Sequence, residues 1–218
     1  MALSGRSKDF DVVPQSDGSG KALPCRPSLF TTRHEMKLSR RSLLLAAAFA
    51  PQAFARSSEA GQAMSPNFWN QPRWVWLKRQ GTNDEIRTVY WADGALIESE
   101  YTKICWFLRD RSAGKAMYMN PVLLDVIYAQ CGWLRLNGID RPYISTSGAR
   151  FPESNAKIEG AKKNSQHLKG NAHDGYIEGI SIEVQNEFAK WVGSGGVGYY
   201  RAKNFIHTDV GNVMYWRG

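Results

Sequence analysis

Cysteine and histidine are scarce in this 218-residue sequence, with three and four copies. No cysteine has the CxxC or Cys/His spacing of a metal site, which excludes a cysteine-based zinc module. No apolar run reaches the ~18 to 20 residues that a membrane-spanning helix needs. Internal repeats, a basic helix and an aromatic-basic sheet pattern are all missing, so nucleic acid is not an expected partner. The remaining composition is that of a globular protein, 43% hydrophobic and 22% charged. Eight Trp, nine Tyr and nine Phe supply a core more readily than a glycan platform.

The first 55 residues read as an address. Met36-Lys-Leu-Ser-Arg40-Arg41 precedes a short Ala- and Leu-rich run that ends at Ala53-Phe-Ala55, a signal-peptidase pattern. The Ser-Arg-Arg-Ser-Leu-Leu order resembles a twin-arginine export signal. Residues 1–35 are then an upstream extension outside the folded domain, 36–55 the signal, 56–66 a linker and 67–218 one domain. Residues 1–55 hold 8 of the 28 Lys and Arg and 4 of the 20 Asp and Glu, so the net charge without them falls from +8 to +4. That modest excess suits an anionic polymer such as the cell wall. Cys105 and Cys131 remain in the mature chain. They lie on apolar helix faces and are expected as buried thiols, although an exported location also allows a disulfide.

Periodicity predicts an α+β domain, helices packed on a small antiparallel sheet. Strands are expected over Arg73–Lys78 and Asp84–Trp91, joined by the turn Gly81-Thr-Asn-Asp. Tyr101, Cys105 and Leu108 mark a helix ending near Ala113-Gly114. A second helix starts at the cap Asn120, with Pro121 in its first turn, and stops at Asn137-Gly138. Pro142–Gly148 reads as a strand running into Arg150. Ser181 caps a helix with Val184, Phe188 and Trp191 as its stripe. Short strands follow near Val197, Phe205 and Val213.

The chemistry concentrates in Ser165-Gln-His167-Leu-Lys-Gly170-Asn-Ala172-His-Asp174 and Phe205-Ile-His207-Thr-Asp209. Two imidazoles and a carboxylate from these segments make a three-ligand Zn²⁺ site with a fourth position for water, the arrangement of a zinc hydrolase. His173 is an alternative ligand to Asp174. Ser165, His167 and Asp174 might instead suggest a nucleophilic triad, but no GxSxG elbow surrounds the serine. Gly193-x-Gly195-x-x-Gly198 follows a helix and precedes a strand, the wrong order for a dinucleotide loop.

Ser165-x-His167-x-x-Gly170-x-Ala172-x-Asp174 resembles the zinc motif of the M15 D,D-peptidase clan. The murein endopeptidase K-like branch is the closer resemblance, from about Arg73 to Arg217. It is carried further by Arg109-Asp-Arg, Pro121-x-Leu-Leu-Asp, Ser147-Gly148-x-Arg150, Gly195-Gly-Val-Gly-Tyr-Tyr200 and Tyr215-Trp216. The resemblance implies a hedgehog/D,D-peptidase-like zinc fold acting on peptidoglycan stem peptides in the periplasm. It makes His167, Asp174 and His207 the metal ligands. Arg150 is then a binder of substrate carboxylate or oxyanion, and Ser165 a support for the ligand loop or a substrate contact. Many clan members carry Glu three residues before the last His, where this chain has Asn204. Asp209 is the candidate acid/base or orienter in its place. A wall-binding module without catalysis and a D,D-carboxypeptidase are the alternative functions.

Overall fold

The computed structural model describes residues 12–13 and 66–218. The expected signal peptide (residues 36–55) and residues 56–65 of the expected linker lie outside the described residues. The upstream extension touches the domain at one described place: strand β1 (Val12–Val13) pairs in parallel with β5 (Ala116–Met117). Helix α1 (Pro66–Asn70) opens the continuous part of the chain.

The α+β class is borne out. One open sheet of eight strands runs in the order β10-β8-β9-β7-β6-β2-β3-β4. Its members are β2 (Arg73–Arg79), β3 (Glu85–Ala92), β4 (Ala95–Leu96), β6 (Tyr143–Ser147), β7 (Ala172–Ile177), β8 (Gly196–Tyr200), β9 (Phe205–Asp209) and β10 (Met214–Arg217). The expected antiparallel pairing holds except at β2/β6 and β8/β10, which are parallel. Alternate residues of β2 are buried, which places Val75 and Leu77 in the main core.

Three helices cover the sheet: α2 (Glu98–Phe107) packs on β3, α3 (Pro121–Leu136) on β2, and α5 (Ile182–Val192) on β8 and β9. The short α4 (Pro152–Asn155) follows β6. Asn120 Oδ1 accepts from Val122 N at 3.0 Å, and Gly138 adopts φ +77° just beyond α3, as the cap and stop signals require. α2 is shorter than its apolar spacing suggests. It ends at Phe107, because Asp110 pairs with Lys115 across a turn and accepts from Ala113 N and Phe151 N. In α5 the buried ridge is Ile182, Gln185, Asn186 and Ala189, while Phe188 is half-buried against Trp133. Gln185 is polar yet buried because its amide accepts from Ile177 N and donates to the carbonyls of Ile177 and Ile180. Cys105 and Cys131 are buried free thiols, and burial pushes the Cys131 thiol up to about 12.

Val197 and Ile206 pack with Ile182 and Ala189 of α5, so that face of β8 and β9 belongs to the helices. The opposite face carries the candidate site.

Candidate metal centre

His167 lies on the 3₁₀ turn Gln166–Lys169. Ser165 caps that turn, its Oγ accepting from His167 N at 3.4 Å, and Gly170 leaves it at φ +64°. The chain then enters β7 and delivers Asp174. His207 comes from the neighbouring strand β9, directly opposite Asp174 in the antiparallel register. The two segments of the sequence therefore meet because β7 pairs with β9.

The side chains converge closely. His167 Nε2 stands 3.2 Å from Asp174 Oδ1 and 3.2 Å from His207 Nδ1, and His207 Nδ1 is 2.8 Å from Asp174 Oδ1. All three residues are buried, and among the described residues this is the His/Cys/Asp/Glu group whose ligand atoms cluster. The ring nitrogens that do not face the cluster are fixed. His167 Nδ1 donates to the Gly148 carbonyl at 2.6 Å, and His207 Nε2 donates to Asp209 Oδ2 at 3.0 Å. With those protons placed, both facing nitrogens present lone pairs to one point beside a carboxylate oxygen. Such a meeting needs a shared cation, a proton or a metal. Donors around a tetrahedral zinc at ~2.0 to 2.1 Å stand about 3.3 Å apart, close to the spacing here. The residues fit a metal ion, and each imidazole has the outer partner that ligating histidines use.

The electrostatics agree. Burial would raise the Asp174 carboxyl, but His167 and His207 hold it well below the ordinary carboxylate range. Burial would lower His207, yet hydrogen bonds to Asp174 and Asp209 raise it to about 9. Without a metal, the shared cation is thus a proton on His207.

Arg150 is half-buried and bonds Asp174 Oδ2 through Nη2, while its Nε donates to Ser147 Oγ at 3.0 Å. Its guanidinium sits against the Asp174 carboxylate rather than standing free. Asp209 uses both oxygens: Oδ2 accepts from His207 Nε2, and Oδ1 accepts from Gly196 N and Gly211 N, each at 2.8 Å. That geometry is the orienter's, of the two roles its position suggests. Ser165 sits at the ligand turn, its hydroxyl on the His167 backbone. His173 points away from the cluster to Ser145 Oγ at 3.0 Å, where burial drives its pKa down to about 3. Asn204, in the position of the clan's Glu, is an exposed residue at φ +53°.

Two partners were not legible as such in the sequence. The Gly148 carbonyl orients His167, and Gly148 is glycine because a Cβ there would stand 2.3 Å from the Leu108 carbonyl oxygen. Trp216 lies against His207, ring centroids 5.1 Å apart.

Fold and site together define a class: an α+β protein whose sheet presents a His/Asp/His donor set of the kind metallopeptidases use. The comparisons carry this further. The family described as Peptidoglycan L,D-endopeptidase MepK, within the M15 peptidases, matches residues 68–216, and the chain belongs to it. Peptidoglycan L,D-endopeptidase MepK of Escherichia coli (strain K12) is 34% identical over 150 residues, covering 67% of this chain and 81% of the relative. The probable enzyme of that name from Haemophilus influenzae is 29% identical over 152 residues, covering 68% and 81%. No solved structure matches significantly.

Proposed function

We propose that this chain is a zinc-dependent murein endopeptidase that hydrolyses an L,D-peptide bond in stem-peptide cross-links. The observation that carries the reading is the convergence of His167 Nε2, His207 Nδ1 and Asp174 Oδ1, with both other imidazole nitrogens already committed. The relatives' names supply the substrate.

His167, Asp174 and His207 would hold the metal, which when bound would supply Lewis acidity and lower the pKa of a water toward neutrality. The Gly148 carbonyl and Asp209 keep the two imidazoles in the tautomers that ligate. Asp209 is therefore a positioning residue. Arg150 holds the second oxygen of Asp174, and its remaining N–H groups are the cationic donors nearest the cluster for a substrate carbonyl or carboxylate. Ser165 keeps the ligand turn closed. The export signal read at residues 36–55, of twin-arginine type, supports a periplasmic location, where the substrate lies. No described helix is long and apolar enough to cross a membrane.

Purified sacculi digested with the unaltered chain should release new muropeptides on chromatography, and His207→Ala should release none. An unaltered chain that sediments with sacculi yet releases nothing would identify a wall-binding module instead. Free D-alanine without cleaved cross-links would identify a D,D-carboxypeptidase.

A further inference from the structure

The ligand pair Asp174 and His207 belongs to a longer row across the sheet. Ser147 of β6 stands opposite Asp174, Asp174 opposite His207, His207 opposite Gly198 of β8, and Gly198 opposite Trp216 of β10. Residues in register across strands share one face. The side chains at four of the five positions are tied together, with Arg150 as a link: Ser147 to Arg150, Arg150 to Asp174, Asp174 to His207, and His207 to the ring of Trp216. The fifth position has no side chain. A Cβ at Gly198 would stand 2.6 Å from the Trp216 ring, so the indole lies directly over the glycine and reaches across β8 to β9. Gly196 is similarly close, with a Cβ there 3.0 Å from Trp216 Cζ3 and 2.5 Å from Asp209 Oδ2.

The indole is held on its own account. Its Nε1 donates to Tyr200 Oη at 3.1 Å, and Tyr200 stacks on Phe205 at 4.6 Å. Around it, β10 is the edge of the sheet, and Val213, Met214 and Tyr215 are exposed. Trp216 turns inward from that edge instead of outward, and its inward contact is a ring that the donor set needs. Asp209 and Asp174 hold the two nitrogens of His207 at 3.0 and 2.8 Å, which leaves tilting of the ring about the line between them as the remaining freedom. A planar surface beside the imidazole restrains the remaining freedom.

We infer that Trp216, seated in the gap left by Gly196 and Gly198, is a positioning residue that sets the plane of the His207 imidazole and thereby the metal-binding geometry. The inference rests on the zinc reading of the cluster. It also accounts for the glycine-rich start of β8 through the space that Trp216 and Asp209 occupy, without any nucleotide.

The test compares the full chain with Trp216→Ala, Trp216→Phe and Gly198→Ala. Zinc affinity is read by competition with a chromophoric chelator, ligand geometry by the visible spectrum of the cobalt(II) form, and fold by circular dichroism and melting of the metal-free proteins. Loss of an outer partner of a ligating histidine weakens metal binding on the order of 10- to 100-fold. Trp216→Ala and Gly198→Ala should weaken zinc to that extent and alter the cobalt spectrum, and Trp216→Phe should recover most of both. A lower melting temperature with unchanged zinc affinity and cobalt spectrum would make Trp216 a packing residue only and overturn the inference. Should Trp216→Ala fail to fold, Gly198→Ala decides in the same way, since it displaces the indole without removing it. If the unaltered chain binds neither metal, the zinc reading itself falls, and this inference with it.

Discussion

At the scale of single residues, the site depends on which nitrogen of each imidazole carries a proton. The sequence shows that two histidines and an aspartate are available, but it does not show their tautomers, because a backbone carbonyl sets one of them. Gly148 enters a reading of the sequence as part of a strand end, and its carbonyl becomes a partner of His167 only when the chain turns there. Asp209 was visible as a candidate two residues beyond His207. Its three hydrogen bonds, two from the backbone amides of Gly196 and Gly211, show how it holds the ring. Asp209→Ala removes that acceptor and leaves His207 free to adopt the other tautomer. Zinc affinity should fall about 10- to 100-fold, measured by chelator competition. Asp209→Asn keeps an acceptor oxygen and should fall less. An Asp209→Ala chain that binds zinc as tightly as the unaltered one would assign this carboxylate to something other than orientation.

At the scale of elements, β7 carries two unlike chemistries on its two faces, a consequence of the strand's two-residue period. Asp174 joins the ligand cluster, and His173 turns the other way, buried against the Tyr143 ring and Ser145. Adjacency in sequence made His173 a rival ligand, and only the strand assignment separates them. The limits of legibility lie here too. Caps were readable because Asn120 and Ser181 act within three residues of themselves. The end of α2 was not, because it is set by Asp110 bonding to Phe151, 41 residues away. The buried ridge of α5 differs from the expected stripe of Val184, Phe188 and Trp191 for a related reason, since Gln185 satisfies the end of β7 and so lies inside.

His173 also gives β7 a pH signature. Burial depresses its pKa to about 3 from the ordinary value of 6.5. The native state therefore refuses a proton that the unfolded chain accepts below pH ~6.5. The stability tied to keeping His173 neutral is fully present above that pH and is lost as pH falls toward 3, by up to ~1.4 kcal/mol per pH unit. His207 acts in the opposite sense in the metal-free protein, with its pKa raised to about 9, so its contribution fades as pH rises from ~6.5 toward that value. Comparing urea midpoints of the unaltered chain and His173→Gln between pH 7 and pH 4 isolates the first effect. The unaltered chain should lose more stability across that range. Parallel slopes would mean that His173 is not the group responsible.

At the scale of the whole molecule, the question is whether the fold needs the metal. Small zinc modules without a core unfold when the ion is removed. This domain has a large apolar core of its own, centred on Leu77, Tyr101, Ile104, Leu123, Leu124 and Ile127, among α2, α3 and the sheet. The ligand cluster lies on the other face of β7 and β9, away from that core. When the metal is withdrawn, the proton on His207 can take over as the cation between the donors, and Asp174 remains paired with Arg150. Chelation should therefore abolish muropeptide release while leaving the circular dichroism spectrum intact. Its cost to stability is the binding free energy alone, ~2.7 kcal/mol where free zinc stands at about 100 times its dissociation constant. For a domain of this size that is a fall of roughly 5 to 11 °C in melting temperature, restored by adding zinc back. Complete unfolding on chelation would mean that the donor set, and not the helix-covered face, holds the sheet together.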